Sequence, residues 1–255
     1  ISSAASLANT GDVCARPGGG GEKSSDLAGD NRNSMLEILY LDDYLAAVAK
    51  PPGLLVHRTG LDAGETRFAL QMLREQLGRA VWPAHRLDKG TSGVLLFALD
   101  ADTARAIGQQ FETGHAIRKT YQAMVRGWCE SEGLIDHPLR RMRDDPRPRS
   151  TATDEPQQAL TRYRTLRRVQ LPLADGRFSA TRCALVELMP LTGRRHQLRR
   201  HLKHIAHPIL GDATHGKGPL NRAVAALLGL QRLWLHALRL ELEHPATGQR
   251  LCIES

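Results

Sequence analysis

Nine consecutive residues, His85-Arg86-Leu87-Asp88-Lys89-Gly90-Thr91-Ser92-Gly93, set one carboxylate between a basic pair and a Thr-Ser-Gly turn. A carboxylate presented this way can act as a nucleophile or as a general base. An isolated Asp in a turn is more often a local cap with no chemistry. A second cluster, Leu191-Thr192-Gly193-Arg194-Arg195-His196-Gln197-Leu198-Arg199-Arg200-His201, starts at the end of a strand pattern and runs into a helix pattern. On a helical wheel Leu198, Leu202 and Ile205 mark a buried side, and Arg195, Arg199 and Lys203 fall together beside it. Such a basic face can meet both RNA phosphates and a buried carboxylate, although arginines and lysines alone are commonly just a solvated surface. The third cluster is Lys119-Thr120-Tyr121, whose tyrosine could stack on a base or relay a proton, or simply fill a core.

The elements that must position these residues follow from the apolar pattern. Short apolar runs over 37–48 flank Asp42-Asp43 and predict a β-hairpin. Lys50-Pro51-Pro52-Gly53 is a turn, followed by a short strand at Leu54-Leu55-Val56. Leu70, Leu73 and Leu77 predict a helix over 66–78. The run 94–99 reads as a buried strand that carries the Asp88 turn. A helix is expected over 102–113, with Ala104, Ile107 and Phe111 inward. Strands are expected at 121–125, 161–168, 178–191 and 233–242, with a helix after Gly193. Many strands with a few interspersed helices and no regular βαβ alternation give an α+β fold.

Residues 1–34 are rich in Ser, Ala and Gly, lack an apolar period, and read as a disordered leader outside the fold, with Met35 as the natural start. Residues 35–255 are expected to form a single domain. The 140–149 stretch is charged and Pro-containing, as expected of a surface loop.

Composition narrows the partners. The chain carries 35 Lys+Arg against 27 Asp+Glu, a net charge of +8 and a pI near 9.7. The leader is slightly acidic, so the positive charge belongs to the body and favours a polyanion. The four cysteines are far apart with no CxxC, which argues against a disulfide framework or zinc knuckle and for a reducing cytoplasm. No apolar run is long enough for a membrane span, and no signal-peptide core is present. His196, His201, His204 and His207 crowd one segment without a metal-binding motif, so no metal is expected.

Taken together, the His-Arg-Leu-Asp-x-x-Thr-Ser-Gly turn, Lys119-Thr120-Tyr121 and Gly193-Arg194-Arg195-His196-Gln197-Leu198-Arg199 resemble the motifs of the RluA-type pseudouridine synthases, in the family's order. The resemblance runs from about Met35 to the C-terminus. It implies the pseudouridine-synthase fold, a central, mostly antiparallel sheet with flanking helices, and cofactor-free isomerisation of uridine in RNA. Asp88, Tyr121 and Arg199 are the implied catalytic residues, with Arg199 paired to Asp88 and Arg86 filling the space left by the flipped base. RNA contacts are expected from Arg86, His85, Lys119, Arg194, Arg195, His196 and Lys203, and from the 140–149 loop.

Met35-Leu36-Glu37-Ile38-Leu39-Tyr40, Gly211-Asp212-Ala213-Thr214-His215-Gly216 and Gly229-Leu230-Gln231-Arg232-Leu233-Trp234-Leu235-His236 are similar to the branch of the family that acts on uridine 65 of certain tRNAs. The implied partner is therefore tRNA, with no membrane and no obligate protein partner. The alternatives are ribosomal RNA as substrate, or a noncatalytic RNA-binding or folding factor on the same fold. Two departures stand out: the chain ends earlier than expected, and no N-terminal S4 RNA-binding domain is legible, so RNA capture falls to the catalytic domain.

Overall fold

The computed structural model describes residues 35–58, 64–114, 117–142, 155–174, 176 and 178–255. The leader and most of the 140–149 loop lie outside these residues. In chain order the elements are β1 (Glu37–Leu41), β2 (Leu45–Lys50), α1 (Ala69–Leu77), β3 (Trp82–Pro83), β4 (Ser92–Ala98), α2 (Ala101–Thr113) and β5 (Arg118–Arg126). Then come β6 (Glu132–Asp136), β7 (Leu160–Leu171), β8 (Thr181–Pro190), α3 (Gln197–His204), α4 (Gly218–Leu228), β9 (Leu235–Glu243) and β10 (Arg250–Glu254). The class is α+β, as expected.

All ten strands join one sheet in the order β1-β2-β4-β9-β5-β8-β7-β6, with β10 on β9 and β3 on β4. Every pairing is antiparallel except β4 with β9. β4 is buried along its whole length and its side chains alternate between faces. Leu95 and Phe97 join Ala69 and Leu73 of α1 in one cluster, while Val94 and Leu96 join Ile107 of α2 in another. Further along the sheet, Ala184, Val186 and Leu188 of β8 pack under Leu198 and Leu202 of α3. Cys183 meets Leu220 and Val224 of α4 on the opposite side. Tyr121 packs against both the α1 and the α3 cluster, at their seam.

Several expectations shift. The 37–48 hairpin is present, with Asp42 closing its turn by accepting the Tyr44 and Leu45 amides. The 54–56 strand reduces to a single bridge, Leu55 to Phe68. That bridge holds Phe68 extended, so α1 starts three residues later than the apolar period suggested. α4, β6 and β10 were not foreseen. Cys129 and Cys183 are buried free thiols.

Candidate active site

Asp88 lies in the turn leading into β4, where the Thr91 amide donates to the Asp88 carbonyl at 3.0 Å. Thr91 and Ser92 are buried. The Ser92 hydroxyl does not serve the carboxylate. It accepts from Arg232 Nη2 at 2.6 Å and pairs with His236 Nδ1 at 2.9 Å. Gly93 is required for a different reason from turn flexibility: its φ is +107°, and a Cβ there would lie 2.1 Å from the Ala237 carbonyl oxygen. It thus allows β4 to approach β9 at their parallel junction.

The opposite wall is built by the Thr192–Arg199 segment. The Gln197 side chain satisfies the backbone around it. Its Oε1 accepts from the Thr192 hydroxyl at 2.7 Å and the Arg194 amide at 2.9 Å. Its Nε2 donates to the Leu160 carbonyl at 2.9 Å and the Thr161 hydroxyl at 3.0 Å. His196 adopts a left-handed conformation, φ 52°, and α3 begins only at Gln197. Arg195 therefore precedes the helix and does not share a helical face with Arg199 and Lys203, contrary to the wheel.

From the first turn of α3, Arg199 reaches between two carboxylates. Its Nη1 donates to Asp88 Oδ2 at 3.0 Å. Its Nε and Nη2 donate to Asp212 Oδ2 and Oδ1 at 2.7 and 2.8 Å. Asp212 is buried and also accepts the Thr214 and His215 amides at 2.9 and 2.8 Å. Burial disfavours the charged Asp212, but the Arg199 hydrogen bonds and these amides outweigh it and hold its carboxyl below the usual range. The fork geometry of guanidinium suits this two-sided role. Asp212 was missed as a functional residue because Gly211-Asp212 reads as an ordinary turn. The signal available was a buried arginine that had to be neutralised on more than one side.

His196 Nε2 stands 3.7 Å from the same Asp88 oxygen. Its Nδ1 is 3.2 Å from His215 Nε2. Burial pushes His196 below its ordinary value. Tyr121 lies inside the site, and burial followed by the nearby Asp88 charge raises its hydroxyl, so it stays protonated at neutral pH. Lys50 was read only as part of a turn. It is buried, and its Nζ donates to the carbonyls of Pro51, Leu54 and Lys89 at 2.9, 2.8 and 3.2 Å. Burial pushes this amine down to about 7, against the pull of Asp88. It ties the Pro-Pro-Gly turn to the backbone beside Asp88.

The other expected RNA contacts divide. Arg86 is exposed beside Asp88 in sequence, and Lys203 is exposed on α3. Arg194 is exposed, with Nε on the Gln158 carbonyl at 3.1 Å. Lys119 is half-buried, its Nζ 5.7 Å from the Phe111 ring centre. His85 turns inward, a correction to its expected RNA-facing role. Its ring stacks on Phe111 at 5.3 Å, and its Nε2 accepts the Leu96 amide at 3.2 Å. Burial and then Lys119 push it down to about 4, consistent with a neutral acceptor. Arg140 to Met142 are described, and the rest of that loop is outside the described residues.

The geometry is that of a carboxylate, in the turn into an interior strand of a mostly antiparallel sheet, held against a guanidinium from the first turn of α3. A family model described as RNA pseudouridylate synthase matches residues 44–204. The chain is 50% identical over 222 residues to tRNA pseudouridine synthase C of Vibrio cholerae, covering 87% of this chain and 91% of that protein. It is equally similar to the protein of that name from Salmonella typhimurium, with 87% and 85% covered. Among solved structures it is similar to Human RNA Pseudouridylate Synthase Domain Containing 1, with TM-score 0.67, 27% identity and coverage of 87% and 84%. Human RNA Pseudouridylate Synthase Domain Containing 4 gives TM-score 0.62, 28% identity and coverage of 86% and 87%. The chain belongs to the RNA pseudouridylate synthase family. Among the described residues no helix is long and apolar enough to cross a membrane.

Proposed function

We propose that this chain isomerises uridine to pseudouridine in tRNA, in the cytoplasm, with uridine 65 as its target and no cofactor. The observation that carries the reading is Arg199, hydrogen-bonded at once to the partly exposed Asp88 and the buried Asp212. The 50% identity to proteins named tRNA pseudouridine synthase C supports the substrate.

The reaction needs the uridine out of the stack, which costs a few kcal/mol of unstacking. Arg86, exposed next to the Asp88 turn, fills the vacated space. Asp88 acts on the flipped nucleotide as the charged carboxylate, whether at the ribose C1′, at uracil C6 or on a ribose proton. The N1–C1′ bond breaks, the uracil turns within the site, and C5 bonds to C1′. C5 then loses its proton and N1 carries one, so the product is an isomer with no atom gained or lost. Arg199 aims Asp88, and Asp212 fixes Arg199. Tyr121, protonated at the seam of two apolar clusters, lies against the base and can relay the C5 proton. Arg194, Arg195, His196 and Lys203 supply phosphate contacts around the α3 entrance, with Lys119 beside them.

The test is mapping of pseudouridine in pooled unmodified tRNA and ribosomal RNA treated with the protein or with Asp88→Ala. A new modification at uridine 65 of tRNA, absent with the variant, is expected. Modification confined to ribosomal RNA would overturn the substrate. Modification that persists with Asp88→Ala would overturn the role of Asp88.

A further inference from the structure

His215 lies in the turn that carries Asp212, and the chemistry above does not use it. The turn is fixed from two sides. Asn221 of α4 accepts the Gly211 amide at 2.9 Å and donates to the Asp212 carbonyl at 2.9 Å. The Asp212 carboxylate accepts the Thr214 and His215 amides. A Cβ at Gly216 would lie 2.4 Å from the Asp212 carbonyl oxygen, so only glycine lets the chain fold back there. This places His215 Nε2 3.2 Å from His196 Nδ1, with the two rings nearly perpendicular.

His196 is itself held in an uncommon conformation. It is one of two non-glycine residues with positive φ among the described residues, and such strain persists only where the surroundings enforce it. Its other ring nitrogen, Nε2, stands 3.7 Å from Asp88 Oδ2, the oxygen that also accepts from Arg199 Nη1 at 3.0 Å. Among the described residues both donors converge on Oδ2, and none serves Oδ1. A carboxylate only accepts, so the nitrogen that faces it carries the proton. A neutral His196 then has its lone pair on Nδ1, and the proton between the two rings belongs to His215. Burial holds His196 below its ordinary value, helped by Arg199 and Arg195 and opposed by Asp88 and Asp212. Burial lowers His215 as well, helped by Arg199, His196 and Lys203 and opposed by Asp212. Both rings are therefore neutral at pH 8.

We infer that His215 is a positioning residue for the isomerisation: it fixes the ring and the proton of His196, which with Arg199 holds Asp88 by Oδ2 and leaves Oδ1 to the nucleotide. The inference rests on the reading that the chain converts uridine in tRNA.

The experiment is single-turnover conversion of unmodified tRNA by the full chain at pH 8 and pH 6, at fixed ionic strength, with His215→Phe and His215→Gln compared with wild type. Both variants keep the backbone amide that serves Asp212, and a groove of about 330 Å³ beside His215 gives the phenyl ring room. His215→Phe removes the donor, so conversion at pH 8 should fall about tenfold, with tRNA affinity within about twofold. At pH 6 the deficit should shrink to about threefold or less, because a protonated His196 donates from both nitrogens and is drawn to Asp88 unaided. His215→Gln keeps an N–H at similar reach and should stay within about threefold of wild type at both pH values. A His215→Phe deficit of equal size at both pH values, or none at pH 8, overturns the inference, as does a His215→Gln as slow as His215→Phe. Nitrogen NMR of the wild-type histidine rings at pH 8 checks the same point without a variant: His196 should carry its proton on Nε2, and a proton on Nδ1 overturns the inference. Failure of the wild type to convert tRNA at either pH overturns the underlying reading instead.

Discussion

The two sides of α3 carry similar residue types and treat charge in opposite ways. On the inner side Arg199 makes three hydrogen bonds to two carboxylates, one of them fully buried. On the outer side Arg200, Lys203, His137 and His204 line a groove whose described residues include no acid. Buried charge must be paired and hydrogen-bonded or it costs several kcal/mol, so the inner side is built for fixed geometry. Lys203, exposed at this rim, keeps its attraction for phosphate, at the expense of sensitivity to salt. One helix can thus aim a reactive carboxylate and hold a polyanion, because its two faces meet different dielectric surroundings.

The contrast breaks most severely at Asp212. Asp212→Ala removes two of the three hydrogen bonds of a buried guanidinium, and chemical denaturation should show a loss of about 3–5 kcal/mol. A loss under about 1 kcal/mol would mean that Arg199 finds other partners and that the clamp is not what rigidifies the site.

Acid should act next through His85, which packs on Phe111 of α2 away from α3. Its folded value of about 4 lies below the ordinary 6.5, so between those limits the unfolded chain binds a proton that the folded chain does not. Its stabilising contribution is complete above pH 6.5 and is lost as pH falls towards 4, a change of about 3 kcal/mol. His85→Gln, which keeps an acceptor for the Leu96 amide, should remove this part of the acid sensitivity. An unchanged pH–stability curve for the variant would place the titrating group elsewhere.

The smallest effect belongs to the outer side. Lys203→Ser should reduce the slope of log affinity for tRNA against log salt by about 1, without altering stability by more than about 0.5 kcal/mol. An unchanged slope would remove Lys203 from the phosphate contacts.

The sequence made visible those parts whose signal is local. The apolar runs over 37–48 and 94–99 led to the hairpin and the central strand, and the three clustered motifs, through the family resemblance, led to the pairing of Arg199 with Asp88. β6 and β10 have only five residues each and depend on β7 and β9 for pairing, so they carry little pattern of their own. α4 was legible in principle, with Pro219 in its first turn and Gly229 at its end in a left-handed conformation. Its buried apolar positions are Leu220 and Val224. His85 was misjudged from its neighbour: Arg86 is exposed while His85 turns into the sheet, and only tertiary contact with Phe111 and Leu96 reveals that. Asp212 was hidden because its partner, Arg199, lies on another element.

The most direct test of the account is single-turnover conversion of unmodified tRNA by Asp88→Ala and Arg199→Lys, with tRNA affinity measured in parallel. Asp88→Ala should abolish conversion and keep affinity within about threefold. Arg199→Lys, which retains charge but cannot fork between Asp88 and Asp212, should slow conversion by about a hundredfold. Wild-type rates in either variant would contradict the claim that a carboxylate aimed by Arg199 performs the reaction.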